Sequence, residues 1–233
     1  MALKAMVFID GCWLYKSRPT LFAKLGEENF EIDYARLPRI VCDELANEID
    51  EDVSLVRTMY FGTIPSARSG FNTSKQRAFY DFLEKNCHYE TDIHEVDVGG
   101  GEGRSDDSWI AVALASSMLF YAGLPSAYDV AVLISDDVVY SPALRRVRLL
   151  GKRAKIVSIH GQDGVPPQMG ASLVWKSRVS DFAPTYLDDH AEQLRLVREL
   201  RERVCKQCGR SEQTTWAGAD FFCSECRGRH RNG

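Results

Sequence analysis

Two sets of residues in this 233-residue chain have types and spacings that carry chemistry. The first is Cys205-x-x-Cys208, fourteen residues, then Cys223-x-x-Cys226. Each pair fits a tight turn that aims two sulfurs at one ion. Two such turns complete a tetrahedral Cys₄ shell, with Zn–S bonds of about 2.3 Å. Protein fills all four positions, which leaves no place for a reactive water, so the expected role of the zinc is structural. Gly209 follows the first pair, as suits a turn whose amides approach the thiolates. A ribbon of about 25 residues buries too little to fold alone, and the metal would supply that energy.

The second set is acidic. Asp10 directly follows the apolar run LKAMVFI (3–9), and Asp136 and Asp137 follow DVAVLIS (129–135). Asp106 and Asp107 open an apolar helix just after the glycine-rich GGGEG (99–103), a loop that could serve as a lid or approach a phosphate. If the first and central strands are neighbours, Asp10 and Asp137 converge above the sheet and Asp107 adds a third carboxylate. Crowded carboxylates repel, so each needs a cation or a proton. Hard oxygen ligands in an open cleft suit Mg²⁺ or Mn²⁺. Such an ion polarises a phosphate and activates water for phosphodiester cleavage. Each acid also has a plainer reading. Asp107 would serve as a helix cap, Asp136 or Asp137 as a turn residue, and Asp10 as a turn after a strand. Ser141 and Pro142 read as the cap and first position of the next helix, which leaves the two acids before them without that task.

Strand and helix patterns alternate in the elements that must position these groups. Strands are expected over 3–9, 53–62, 88–98, 129–135 and 154–159, and helices over 33–49, 73–87, 107–123 and 141–150. A short helix near 167–174 and an edge strand near 177–182 close the pattern. The run at 129–135 is apolar on both faces, as a central parallel strand is. The expected fold is α/β, a mostly parallel sheet with helices on both faces and ligands at the carboxyl ends of the strands. AEQLRLVRELRERV (191–204) reads as an amphipathic helix leading into the cysteines. The expected organisation is a domain over 1–188, a linker helix over 189–204, and a zinc ribbon with a basic tail over 205–233.

Net charge is −4, so the molecule as a whole is not a polycation built to coat nucleic acid. From Arg195 onward, however, nine Lys/Arg face five acids, and RGRHRNG follows the last cysteine. A basic tail beside a ribbon favours phosphate contact. No apolar run approaches the roughly 20 residues of a membrane span, and MALKAMVFID enters a strand with no cleavable signal. An odd count of seven cysteines argues against a disulfide framework, so a reduced cytoplasmic setting is expected.

VFIDGCWLYKS, GRSDDSWIAVALASSML and VLISDDVVYSPALRRVRLLGKRAKIVS together resemble the three blocks of NYN domains, in the PIN-like nuclease superfamily. The resemblance spans roughly residues 3–187. It implies a Rossmann-like PIN fold and an endoribonuclease that uses Mg²⁺ or Mn²⁺. Asp10, Asp107 and Asp137 match the family's core acids and are the implied catalytic and metal-binding set, with Asp136 beside them. Arg104 matches the basic residue before the helix acid. Departures from the pattern are Trp13 for an Asn, Ala113 and Val139 for accessory acids, and Asp136 for a Gly.

Lys16, Arg18, Arg68, Lys75 and Arg77 could line a phosphate-binding groove. Tyr15, Phe71 and Trp109 could stack on unpaired bases, with rim packing as the plainer role of Trp109. Cys12 reads as a buried thiol, and His88 and His94 as one face of a strand. The expected partner is RNA, single-stranded or structured, with a protein partner through the ribbon as a further option. The alternative reading is a degenerate NYN domain that binds RNA or protein without cutting. A haloacid dehalogenase-type phosphatase needs a second acid where Cys12 stands.

Overall fold

Strand and helix alternate in the chain as they do in the sequence pattern. The computed structural model describes residues 2–25, 31–97, 108–160, 172–176, 178–197, 201–214 and 220–231. The chain forms two compact units, Met1–Arg195 and Leu196–Gly233. The first runs β1 (Leu3–Asp10), α1 (Gly11–Leu25), α2 (Leu37–Ile49), β2 (Val53–Pro65), α3 (Ser74–Cys87), β3 (Glu90–Val96), α4 (Ser108–Gly123), β4 (Val130–Ile134), α5 (Ser141–Leu149), β5 (Arg153–Ser158), β6 (Thr185–Tyr186) and α6 (Ala191–Leu194). Its six strands make one sheet in the order β3-β2-β1-β4-β5-β6, every pair parallel.

Period-two alternation divides the core between the two faces of this sheet. Ala5, Val7 and Ile9 of β1 and Val130, Val132 and Ile134 of β4 face α1, α2 and α3, meeting Leu14, Leu45 and Leu83. Met6, Phe8, Ala131 and Leu133 face the other way, onto Ile110 and Leu114 of α4 and Leu144 of α5. Because both faces are covered, β4 is buried along its whole length. The same alternation turns Lys155 of β5 toward α2. There its ammonium donates to Glu48 (2.8 Å) and to the Ala183 carbonyl (3.0 Å).

β1 lies between β2 and β4, so the chain order reverses at the β1–β4 boundary. The exits of these two strands therefore flank the switch point, where open α/β sheets gather ligands. Gly11 follows β1 there. A Cβ at this position would meet the buried Tyr60 ring at 2.4 Å, so a side chain would drive the start of α1 off the sheet.

The second unit is a hairpin, β7 (Arg201–Val204) paired antiparallel with β8 (Ser211–Thr214), followed by α7 (Ser224–Arg231). Three expectations change here and at the domain's edge. Among the described residues of 191–204, helix covers Ala191–Leu194 and residues 201–204 instead pair with 211–214 across the cysteine turn; hairpin pairing overrides a helical pattern. The edge strand is Thr185–Tyr186, not 177–182. A 3₁₀ turn occupies Leu173–Trp175, while residues 161–171 lie outside those described. Among the described residues no helix is long and apolar enough to cross a membrane.

Candidate active site and cysteine cluster

Asp10 ends β1 and is 7% exposed. Its Oδ1 accepts from the Trp13 amide (2.9 Å), which binds the carboxylate to the first turn of α1. Its Oδ2 accepts from the Tyr140 hydroxyl (2.8 Å), although 130 residues separate the two in sequence. Tyr140 is buried in the 3₁₀ turn Val138–Tyr140 that links β4 to α5. Burial first, then the charge and hydrogen bond of Asp10, then the charge of Asp137, hold its phenol far above the usual range. Tyr140 is thus the group around which the β1 and β4 acids meet.

Asp137 is exposed, and its Oδ1 accepts from the Val139 amide (2.9 Å). That bond caps the 3₁₀ turn. α5 has Tyr140 at its N-cap position with no side-chain cap, and Ser141 is already inside the helix. The expected division of labour is therefore revised: Asp137 does have a capping task, one turn earlier than the helix it was compared with.

Asp136 points elsewhere. It accepts from the Val174 amide (3.2 Å) and from the hydroxyls of Ser172 and Ser158, on the β5 side of β4. Burial pushes its carboxyl above the ordinary range, and these hydrogen bonds pull in the opposite direction. Arg104, Asp106, Asp107 and the loop 99–103 lie outside the described residues.

The residues expected to contact phosphate lie on elements that follow β1 and β2. Lys16 is exposed on α1, and the Arg18 guanidinium lies 5.8 Å from the Tyr15 ring. Arg68 is exposed in the 3₁₀ turn Ala67–Ser69 just past β2, and Lys75 is exposed at the start of α3. Arg77 pairs with Glu95 at 3.0 Å. Tyr15 and Phe71 are exposed aromatics, and Trp109 stacks on His94 (centroids 4.3 Å apart) beside a groove of about 540 Å³. His88 is not on β3 with His94; it caps α3 in the left-handed region at φ 58. Cys12 is half-buried, with its sulfur 3.6 Å from Thr63 Oγ1.

In the second unit the four cysteines converge. Cys205 and Cys208 sit in the β7–β8 turn, and Cys223 and Cys226 flank the start of α7. All four sulfurs lie within 4.8 Å of one another, with Cys208 and Cys223 3.6 Å apart. An edge of about 3.8 Å is what a tetrahedron of 2.3 Å Zn–S bonds requires, so the cluster fits zinc. The Cys223 amide donates to Cys205 Sγ (3.3 Å), and this bond, ahead of those from Cys208 and Gln207, brings the Cys205 thiol down to about 6. Gly209 holds φ +70 and donates to the Cys205 carbonyl, which closes the turn.

Sequence reasoning missed three features of the first unit: Tyr140 as the partner of Asp10, the serine cradle of Asp136, and a cluster of His160 with Asp188 and Asp189. The aromatic two residues before Pro142 was a signal for the first. The others depend on contacts across strands.

An α/β unit with a six-stranded parallel sheet and acids at its switch point is the architecture of PIN-like domains. The NYN domain family profile matches residues 4–175, and the chain belongs to that family, which is generally nuclease-like. No match was found among curated proteins. Among solved structures, a protein of unknown function from Vibrio parahaemolyticus superposes with a TM-score of 0.52 at 15% identity, covering 81% of this chain and 94% of that one. That likeness supports the fold alone.

Proposed function

We propose that the chain is a metal-dependent endoribonuclease that hydrolyses RNA phosphodiester bonds. The observation that carries this reading is Asp10 and Asp137 just past adjacent parallel strands, with Tyr140 bonded to Asp10 and within reach of the Asp137 charge, in a chain of the NYN family. Asp10, Asp107 and Asp137 would hold Mg²⁺ or Mn²⁺, and the oxygen-only donor set suits such an ion; Asp136, expected beside them, is instead bound to Val174 and the serines and is left out of this set. When bound, it stabilises charge on the phosphoryl group and lowers the pKa of a water. The protein's own groups supply positioning. Trp13 and Tyr140 fix the Asp10 rotamer from both oxygens, while Asp137 stays open to solvent. Lys16, Arg18, Arg68, Lys75 and Arg104 would neutralise phosphates, and Tyr15, Phe71 and Trp109 would stack on unpaired bases. A structural zinc at Cys205, Cys208, Cys223 and Cys226 would fold the ribbon. Its basic tail adds phosphate contact, and its surface is open to a protein partner. The setting we infer is the cytoplasm.

A second reading has support of its own: both oxygens of Asp10 are held within the protein, and Trp13, Ala113 and Val139 stand where polar family residues are lost. A degenerate module would bind RNA regardless of metal. Incubating labelled RNA with the full chain in Mn²⁺, Mg²⁺ or EDTA separates the two. Metal-dependent cleavage that is lost in Asp137→Asn supports the nuclease. Binding without cleavage under all three conditions supports the module.

A further inference from the structure

β5 and β6 pair with Ser158 opposite Tyr186, so the residues two positions beyond each strand, His160 and Asp188, come side by side. His160 Nδ1 lies 3.0 Å and 3.1 Å from the two oxygens of Asp188 and 3.8 Å from Asp189 Oδ1. The three groups all present ligand atoms within 4.8 Å of one another. They are also held in place. The His160 amide donates to Asp188 Oδ1 (3.1 Å), and the imidazole lies flat on the Tyr186 ring, 3.7 Å between centroids and 20° between planes. Asp188 is buried at the back of the cluster, and Asp189 is exposed at its mouth.

We propose that His160, Asp188 and Asp189 form a divalent transition-metal site of the zinc class, with ligands distinct from the four cysteines and from Asp10 and Asp137. Two ligand atoms that each sit about 2.1 Å from one ion lie about 3.0–3.4 Å apart at right or tetrahedral angles. The observed 3.0–3.8 Å spacings bracket that range. A donor set of one imidazole nitrogen and two carboxylates suits zinc or nickel better than magnesium, which seeks oxygen alone. A ring proton on Nδ1 points at one acceptor, whereas an ion meets all three donors at once. The stacked tyrosine and the backbone amide fix ring and carboxylate orientation, as groups around a metal centre do. Three protein ligands leave coordination positions for water, unlike the closed Cys₄ shell.

The site stands independently of the nuclease reading, and its test needs no RNA. Full-length protein carrying one zinc at its cysteines is titrated with Zn²⁺ by calorimetry, alongside Asp189→Asn, His160→Gln and Asp137→Asn. The expected result in wild type is a further ion at this cluster, counted apart from any that the Asp10–Asp137 edge takes up. Its affinity falls by at least about tenfold in Asp189→Asn and His160→Gln and is unchanged in Asp137→Asn. Asp189 is exposed, so Asp189→Asn keeps the fold and decides the matter even if His160→Gln does not fold. No uptake beyond the cysteine zinc overturns the proposal and leaves His160–Asp188 as a structural ion pair. Uptake equal in wild type and Asp189→Asn, or lost only in Asp137→Asn, overturns it as well.

Discussion

The cysteine cluster and the acidic edge reach their geometries by opposite routes. In the ribbon, four cysteines come from two short motifs, and among the described residues the buried core is Cys205, Phe221, Cys223 and Cys226, with Phe222 packed against it. The cysteines that would bind the ion are themselves the core, so ion and fold would stand or fall together. In the first unit two large clusters hold the sheet from both faces, and the acids sit on a scaffold that forms without them. There each carboxylate has a partner in the protein: Tyr140 for Asp10, Val139 for Asp137, the serines for Asp136. A closed Cys₄ shell would stabilise the ribbon when filled, whereas an ion at the open acidic edge would stay free to exchange its other ligands.

The sharpest way to break this contrast is to remove one ligand from the ribbon. Cys223→Ser, or strong chelation, is expected to unfold residues 201–231 outright, since structural zinc contributes about 10–16 kcal/mol in small fingers. Nuclear magnetic resonance would show ribbon signals collapsing while those of the sheet stay dispersed. A folded, zinc-free ribbon would refute the dependence.

Next in size is a pair on the scaffold itself. Lys155 is 2% exposed and Glu48 is its acid partner, so Glu48→Gln leaves a buried ammonium uncompensated. The expected loss is about 2 kcal/mol, below the range for a fully buried pair because Glu48 is partly exposed. Burial pushes Glu48 up, but the hydrogen bonds from Lys155 and the Ala183 amide and the charge of Lys155 outweigh it, and its folded pKa lies below normal. A depressed carboxyl contributes stability above its unfolded pKa of about 4.3, and that contribution is lost as pH falls through the folded value. Melting curves of wild type and Glu48→Gln should therefore differ at neutral pH and converge as pH falls below the folded pKa of Glu48.

Tyr140→Phe sharpens the other side. It removes one hydrogen bond to Asp10, with an expected cost of about 1 kcal/mol in stability and a larger proportional loss in cleavage. Equal cleavage by Tyr140→Phe and wild type would mean that Asp10 needs no such anchor. The smallest expected effect is at the rim. Lys75→Ala should weaken RNA binding a few-fold and lower the salt slope by about one, without changing the melting temperature.

Much of this architecture was legible because it rests on local pattern. The apolar runs of β1 and β4 and the CxxC pairs identified their elements directly. α1 was not, because Pro19 inside GCWLYKSRPTLFAKL reads as a breaker. The helix expected over 191–204 gave way at 201–204 to hairpin pairing with 211–214 across the cysteine turn, which the helical spacing of 191–204 does not reveal. Among site residues, the exits of Asp10 and Asp137 were readable, and their meeting at Tyr140 was not. His160 and Asp188 meet only through the β5–β6 register, which two-residue pairing sets and no periodicity announces.

The most direct test of the account is cleavage of labelled RNA by Asp10→Asn in Mn²⁺, at RNA concentrations that saturate binding. Expected is retained RNA binding by a folded chain, with cleavage reduced at least about a hundredfold and abolished in wild type by EDTA. Wild-type cleavage that survives EDTA, or an Asp10→Asn rate equal to wild type, would contradict it.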